Sequence, residues 1–207
     1  MAIITGITSA QGAEVDSASK AQRVTLYDSG GNEVQAPPTG SYVLPVNLRA
    51  TAASAATTLF WAMRNGSSRV VSIRRISLAA TFDGTAAAGQ TPRYAIQRFT
   101  SATPSSGTVL TPVKKRSSYG SSTIVDARFS DTGLTFAGLV FEPEALVIGT
   151  PASVTGTSTI RDYSFEKANE RYDSFELGAN EGLAIRVLVV MVIGMSLTGF
   201  VAWDERP

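Results

Sequence analysis

The chain contains no cysteine and no histidine. Without cysteine there are no disulfides, no thiolate zinc sites and no thiol nucleophile. Without histidine there is no Ser-His-Asp relay, and the commonest metal ligand is missing. Carboxylates, Lys and Tyr remain as acid–base groups. Charge is scarce as well: Asp, Glu, Lys and Arg make up 17% of the residues, against about 25% in an average soluble protein. Ala, Ser, Thr and Gly fill the gap, and a surface this neutral suits burial against neighbouring copies. The net charge of +1 supplies no field to steer nucleic acid, a membrane or a charged substrate. The opening MAIITGITSAQG has no basic stretch followed by a long apolar one, so it does not read as a secretory signal. Synthesis in the cytoplasm is the expectation.

What is present in quantity lies at the end. Two apolar runs, 183–193 (LAIRVLVVMVI) and 197–203 (LTGFVAW), are separated by little more than Gly194. The first is rich in Val and Ile, which fit a pleated, half-buried surface. The second alternates, with Leu197, Val201 and Trp203 on one parity and Thr198 and Ala202 on the other. The expectation is a tight antiparallel pair at the centre of a β-sheet. A membrane span of about 20 residues is the rival. Arg186 inside the first run, three glycines, Ser196 and Thr198 argue against it; a central Arg alone costs at least ~2.5 kcal/mol on insertion scales.

Residues 1–40 read as an arm carrying one small hairpin: a strand at 23–27, turn chemistry at 28–32 and a return from Glu33. Ala36-Pro-Pro-Thr-Gly40 is a linker. A two-stranded hairpin is marginal alone, so an ordered arm must lie on its own domain, a neighbouring copy or another protein. Residues 41–207 then form the main domain.

Its strands are expected at 42–48, with Pro45 marking an edge or a bulge, at 58–64 and at 69–82. In the third, Val71 and Ile73 share one parity and Ile76 and Leu78 the other. A β-bulge at Arg74-Arg75 restores a continuous apolar face. Asn65-Gly66 between the second and third reads as a hairpin turn rather than a glycosylation site. Further strands are expected at 91–100, 122–129, 134–141 and 145–148, a loop at 101–111, and a helical turn within 159–172. That makes roughly eight to ten short strands with almost no helix. The expected fold is all-β: a jelly-roll-like antiparallel β-sandwich preceded by the arm, with a closed barrel as the alternative.

Candidate chemistry is thin. Lys114-Lys115-Arg116, with Tyr119 nearby, has the charge to touch phosphate, but three cations in a chain of net +1 read as a solvated corner. Carboxylates gather at Asp162, Glu166, Glu170, Asp173, Glu176 and Glu181, and a close pair among them has the means to hydrolyse a glycoside. Their interleaving with Lys167 and Arg171 favours a solvated turn, and no Asp-x-Asp-x-Asp-Gly calcium loop is present. Gly30-Gly31 lacks the strand-to-helix context of a phosphate loop. Trp61, Trp203, Phe136, Phe141 and Phe200 have the makings of a sugar platform, but aromatics at strand parity belong to a core. No catalytic residue, metal ligand or cofactor site is assigned.

Several segments resemble tailed-bacteriophage virion proteins. One is 13–28 (AEVDSASKAQRVTLYD). Another is the combination of 175–178 (FELG), 180–186 (NEGLAIR) and 201–205 (VAWDE), and a third is the string 98–108 (RFTSATPSSGT). Together they cover under half the chain and carry no reaction motif. The resemblance implies a non-enzymatic structural component of the virion, made in the host cytoplasm and assembled as a homo-oligomer, with a trimer favoured. Within that class the expectation is a capsid decoration or cement protein whose arm clamps neighbouring subunits of the major capsid protein. A tail, collar or fibre-attachment protein is the alternative. A carbohydrate-binding receptor module and a cellular adhesin or matrix domain are the readings from other classes. Neither nucleic acid nor membrane is an expected partner. On this reading the 183–193 run has one face on the opposite sheet and the other on a partner copy or the arm.

Overall fold

The computed structural model describes residues 14–15, 22–23, 40–49, 60–82, 93–138, 140–141, 146–149, 159–164, 175–188 and 195–206. The chain divides into two units, Met1–Pro37 and Pro38–Pro207. In the first, Glu14–Val15 pairs antiparallel with Gln22–Arg23. The hairpin expected from Arg23 to Val34 lies, apart from Arg23, outside the described residues.

Eight strands carry the second unit: β1 (Gly40–Arg49), β2 (Phe60–Arg64), β3 (Val70–Phe82), β4 (Arg93–Thr100), β5 (Leu146–Gly149), β6 (Thr159–Ser164), β7 (Glu181–Val187) and β8 (Met195–Arg206). They form two antiparallel sheets, one in the order β5-β4-β7-β2, the other β6-β3-β8-β1. Short strands extend the edges. Val140–Phe141 lies beside β4, and Phe175–Leu177 beside β3. Arg128–Ser130 and then Thr108–Val109 lie beyond β2, and Val113–Lys114 beyond β1. Among the described residues there is no helix.

Both sheets turn one face to a shared core. Along β1, Tyr42, Leu44, Val46 and Leu48 point in, while Ser41, Pro45 and Asn47 point out. β2, β4 and β7 contribute Trp61, Met63, Tyr94, Ile96, Leu183 and Ile185 from the opposite sheet. Pro45 sits where the sheet edge is free, because Val113–Lys114 pairs only with Tyr42 and Val43. Its carbonyl accepts the Trp61 indole N–H across the core at 3.0 Å. The parity slip in β3 is a bulge: Ala202 pairs with Arg75 and Trp203 with Ile73, which leaves Arg74 as the extra residue. Val71, Ile73, Ile76 and Leu78 therefore all reach the core.

Among the described residues the two C-terminal runs do not pair with each other. β7 is the inner strand of one sheet, between β4 and β2, and β8 of the other, between β3 and β1. Residues 188–194 suffice to cross the ~10 Å between packed sheets, so adjacency in sequence does not force a hairpin. Nor is Asn65-Gly66 a hairpin turn, since it joins β2 of one sheet to β3 of the other. Thr159–Ser164 is an edge strand rather than the start of a helical turn, held by pairing to β3 from Arg75 to Ala80. The rest of the expected helical turn lies outside the described residues. Of the strands expected at 122–129 and 134–141, only Arg128–Ser130, Phe136–Ala137 and Val140–Phe141 are realised.

The remainder of 101–138 is a long excursion that reaches the main core at Ile124 and Ala127 and packs with its two ends on the outward face of the β5-β4-β7-β2 sheet. There Phe60, Ala62, Phe99 and Ala184 form a second apolar cluster with Ala102, Leu134 and Phe136 from the excursion. Phe136 meets Phe60 and Phe99 edge-on, with centroids 5.5 and 5.3 Å away. Gly182 is needed beneath the Phe99 ring, where a Cβ would lie 2.1 Å from the nearest ring carbon. The outer side of β7 at Gly182 and Ala184 is thus covered by the excursion, where a partner copy or the arm was expected; residues 189–193 of that run lie outside the described residues. A periodicity pattern registers that a face is buried, not what buries it.

Candidate functional site

At one end of the core the excursion is fastened by a buried carboxylate. Glu205 is on the inward parity of β8 with Val201 and Trp203, and it is fully buried. Its Oε1 accepts hydrogen bonds from Ser122 Oγ at 2.6 Å, the Thr123 backbone N–H at 2.8 Å and Trp203 Nε1 at 3.3 Å. Arg69 stands 4.0 Å from its other oxygen. Tyr42 stacks on Trp203 at 5.9 Å and donates its hydroxyl to the Gly120 carbonyl at 3.1 Å. Burial, and then the Glu205 carboxylate, push the Tyr42 phenol above its ordinary pKa. Three donors on a carboxylate offset its desolvation, and all of them belong to this chain. The cluster is a latch, with no face open to a substrate.

Asn65 is a second buried hub. Its side-chain amide donates to the carbonyls of Arg69, Leu177 and Gly178 at 2.6, 3.2 and 3.0 Å, and its Oδ1 accepts from Ser67 N at 3.2 Å. An amide so engaged, on a residue with no exposed surface, is no glycosylation acceptor. Beside it Arg64 grips Asp126 of the excursion through Nε at 2.9 Å and a terminal nitrogen at 2.7 Å. Neither hub was singled out as functional in the sequence. For Glu205 the signal was there: a carboxylate on the apolar parity of a strand has to be satisfied internally.

The described late carboxylates, Asp162, Glu176 and Glu181, have separate partners. Asp162 pairs with Arg75 across β6 and β3, and that hydrogen-bonded guanidinium holds its carboxyl below the usual range. Glu176 accepts from Ser72 Oγ at 3.0 Å, and Glu181 accepts the Gly178 N–H at 2.7 Å, closing a tight turn. Glu166, Glu170 and Asp173 lie outside the described residues. Among the described residues no group of three or more acidic side chains gathers as a metal site. Lys114, Lys115 and Arg116 are all exposed at the corner of the excursion, with Arg116 over the Tyr119 ring at 6.0 Å.

Trp61 and Trp203 are fully buried and Phe136 packs on the outer cluster, so they build cores rather than a platform. The side chain of Phe141 lies outside the described residues. Phe200 differs: it is half-buried on the outward face of the β6-β3-β8-β1 sheet, with the Arg75 guanidinium 5.5 Å from its ring centroid. Among the described residues no helix is long and apolar enough to cross a membrane. Compared with known proteins, the chain matches no family model, no curated protein and no solved structure.

Proposed function

We propose that the protein is a non-enzymatic building block of a tailed-phage virion, and within that class a capsid decoration or cement protein. Residues 1–40 serve as the arm that clamps neighbouring subunits of the major capsid protein, and the sandwich associates with copies of itself. The observation that carries the reading is the strand order. In β5-β4-β7-β2 and β6-β3-β8-β1, strands from the first half of the chain alternate with strands from the second, and consecutive strands fall in opposite sheets except β4 and β5, which pair with each other. That order supports a jelly roll, an architecture shared by viral capsid domains, lectins and cupins. A lectin use needs aromatics open to a sugar, whereas both tryptophans here are buried. A metal-dependent use has no imidazole to draw on. Assembly is the use that asks for neither.

Electron microscopy of virions labelled at the C-terminus of the protein tests this. Label spread over the capsid is the expected result. Label confined to the tail would transfer the protein to the tail, collar or fibre-attachment reading. Its absence from purified particles would overturn the virion reading altogether.

A further inference from the structure

The two sheets dispose of their outward faces differently. On β5-β4-β7-β2 the outward Phe60, Ala62, Phe99 and Ala184 lie beneath the excursion. On β6-β3-β8-β1 the register sets Val43 beside Ala202, Pro45 beside Phe200, and Phe200 beside Ser77. The next row places Asn47, Thr198 and Ala79 together. An antiparallel sheet left to water is polar on its outer face. The middle of this one carries Phe, Pro, Val and Ala with only small hydroxyls and one amide between them. Val113, 55% exposed, continues the apolar row beyond Val43.

We infer that this outward face is a self-association surface, on which a second copy of the same chain packs face to face about a two-fold axis. The inference rests on the reading of the protein as an assembling component and names the surface it uses. Charge selects a copy over a different partner. In a two-fold contact each patch meets itself, so unpaired charge of one sign would repel its own image. Here the charges beside the apolar middle are matched within the face, Arg74 with Asp204 at 2.8 Å and Arg75 with Asp162. Arg206 has the Glu176 and Asp204 carboxylates near it, and Arg49 lies at the far end of β1. Area agrees. Four strands at ~4.8 Å spacing and about eight residues at ~3.4 Å rise give a plan area on the order of 500 Å². Two such faces bury about 1,000 Å², the lower bound of specific interfaces.

The absence of cysteine makes the test clean. Sedimentation of the purified full chain should show a pair, or a multiple of pairs. Phe200→Arg should weaken association about tenfold or more with an unchanged circular dichroism spectrum. Single substitutions Asn47→Cys, Ser77→Cys and Ala79→Cys probe the face directly. At least one should form a disulfide-linked dimer under mild oxidation, while Val109→Cys, on the edge, should not. A monomeric wild type would overturn the inference, and so would the trimer that the resemblance favours, because a two-fold contact pairs copies. So would association without any cross-link from this face, or cysteines there that a thiol reagent cannot reach in the dilute monomer. If Phe200→Arg does not fold, the cysteine series decides alone. None of these outcomes depends on finding the protein in a particle, so pairing and the virion reading fail separately.

Discussion

Trp203 is fully buried, stacks on Tyr42 and donates its indole N–H to Glu205. Trp203→Ala should cost about 3–5 kcal/mol, read as a fall in the denaturant midpoint at unchanged slope. A loss under about 1 kcal/mol would contradict its place in the core. Asp162 gives a residue-scale prediction in pH. Its folded carboxyl is held low by the Arg75 hydrogen bond. The pair's contribution is therefore complete above the usual carboxylate range and is lost as pH falls through the lowered folded value. NMR titration should show the Asp162 midpoint below the usual range in the wild type, returning to it in Arg75→Ala. The site is exposed, so added salt should narrow the difference.

At the scale of elements, the excursion 101–138 is fastened in two chemically different ways. Leu134 and Phe136 bind it by apolar contact to the outside of one sheet, whereas Ser122, Thr123 and Asp126 bind it through Glu205 and Arg64. Phe136→Ala should cost about 3–5 kcal/mol if the cluster cannot collapse, less if it can. Amide exchange should accelerate first in the excursion and only later in β3 and β8, because such segments open as sub-global units. Uniform acceleration throughout would show that the excursion folds as one with the sheets. The same element marks where the sequence stopped being legible. The Arg74 bulge could be read because alternation is local and its parity slips within one strand. That the strand beginning the first run has both sides covered at Leu183, Ala184 and Ile185 was also local information. What covers the outer side was not, since Leu134 and Phe136 are distant in sequence and a strand pattern at 134–141 does not say which surface it lies against. The expected pairing of the two C-terminal runs failed for a related reason: a strand buried on both faces and followed by a short connection looks the same whether the next strand lies beside it or across the core. The solvated basic corner was legible because charge spacing is itself local.

For the whole molecule, the question is what each unit contributes. The buried core of Pro38–Pro207 begins at Tyr42 and is closed by β8. Its apolar burial is supplied by two sheets and one excursion, all within the second unit. Deleting residues 1–37 should therefore leave a folded protein whose unfolding midpoint matches the full chain, since the second unit has a core of its own. If those residues are the clamp of a decoration protein, the same deletion should abolish incorporation into particles during infection, leaving the sandwich soluble. The two readouts separate the structural claim from the functional one. A truncated chain that does not fold would make the N-terminal unit part of the core. One that folds and still enters particles would move attachment to the sandwich, where the outward face around Phe200 is the first surface to mutate.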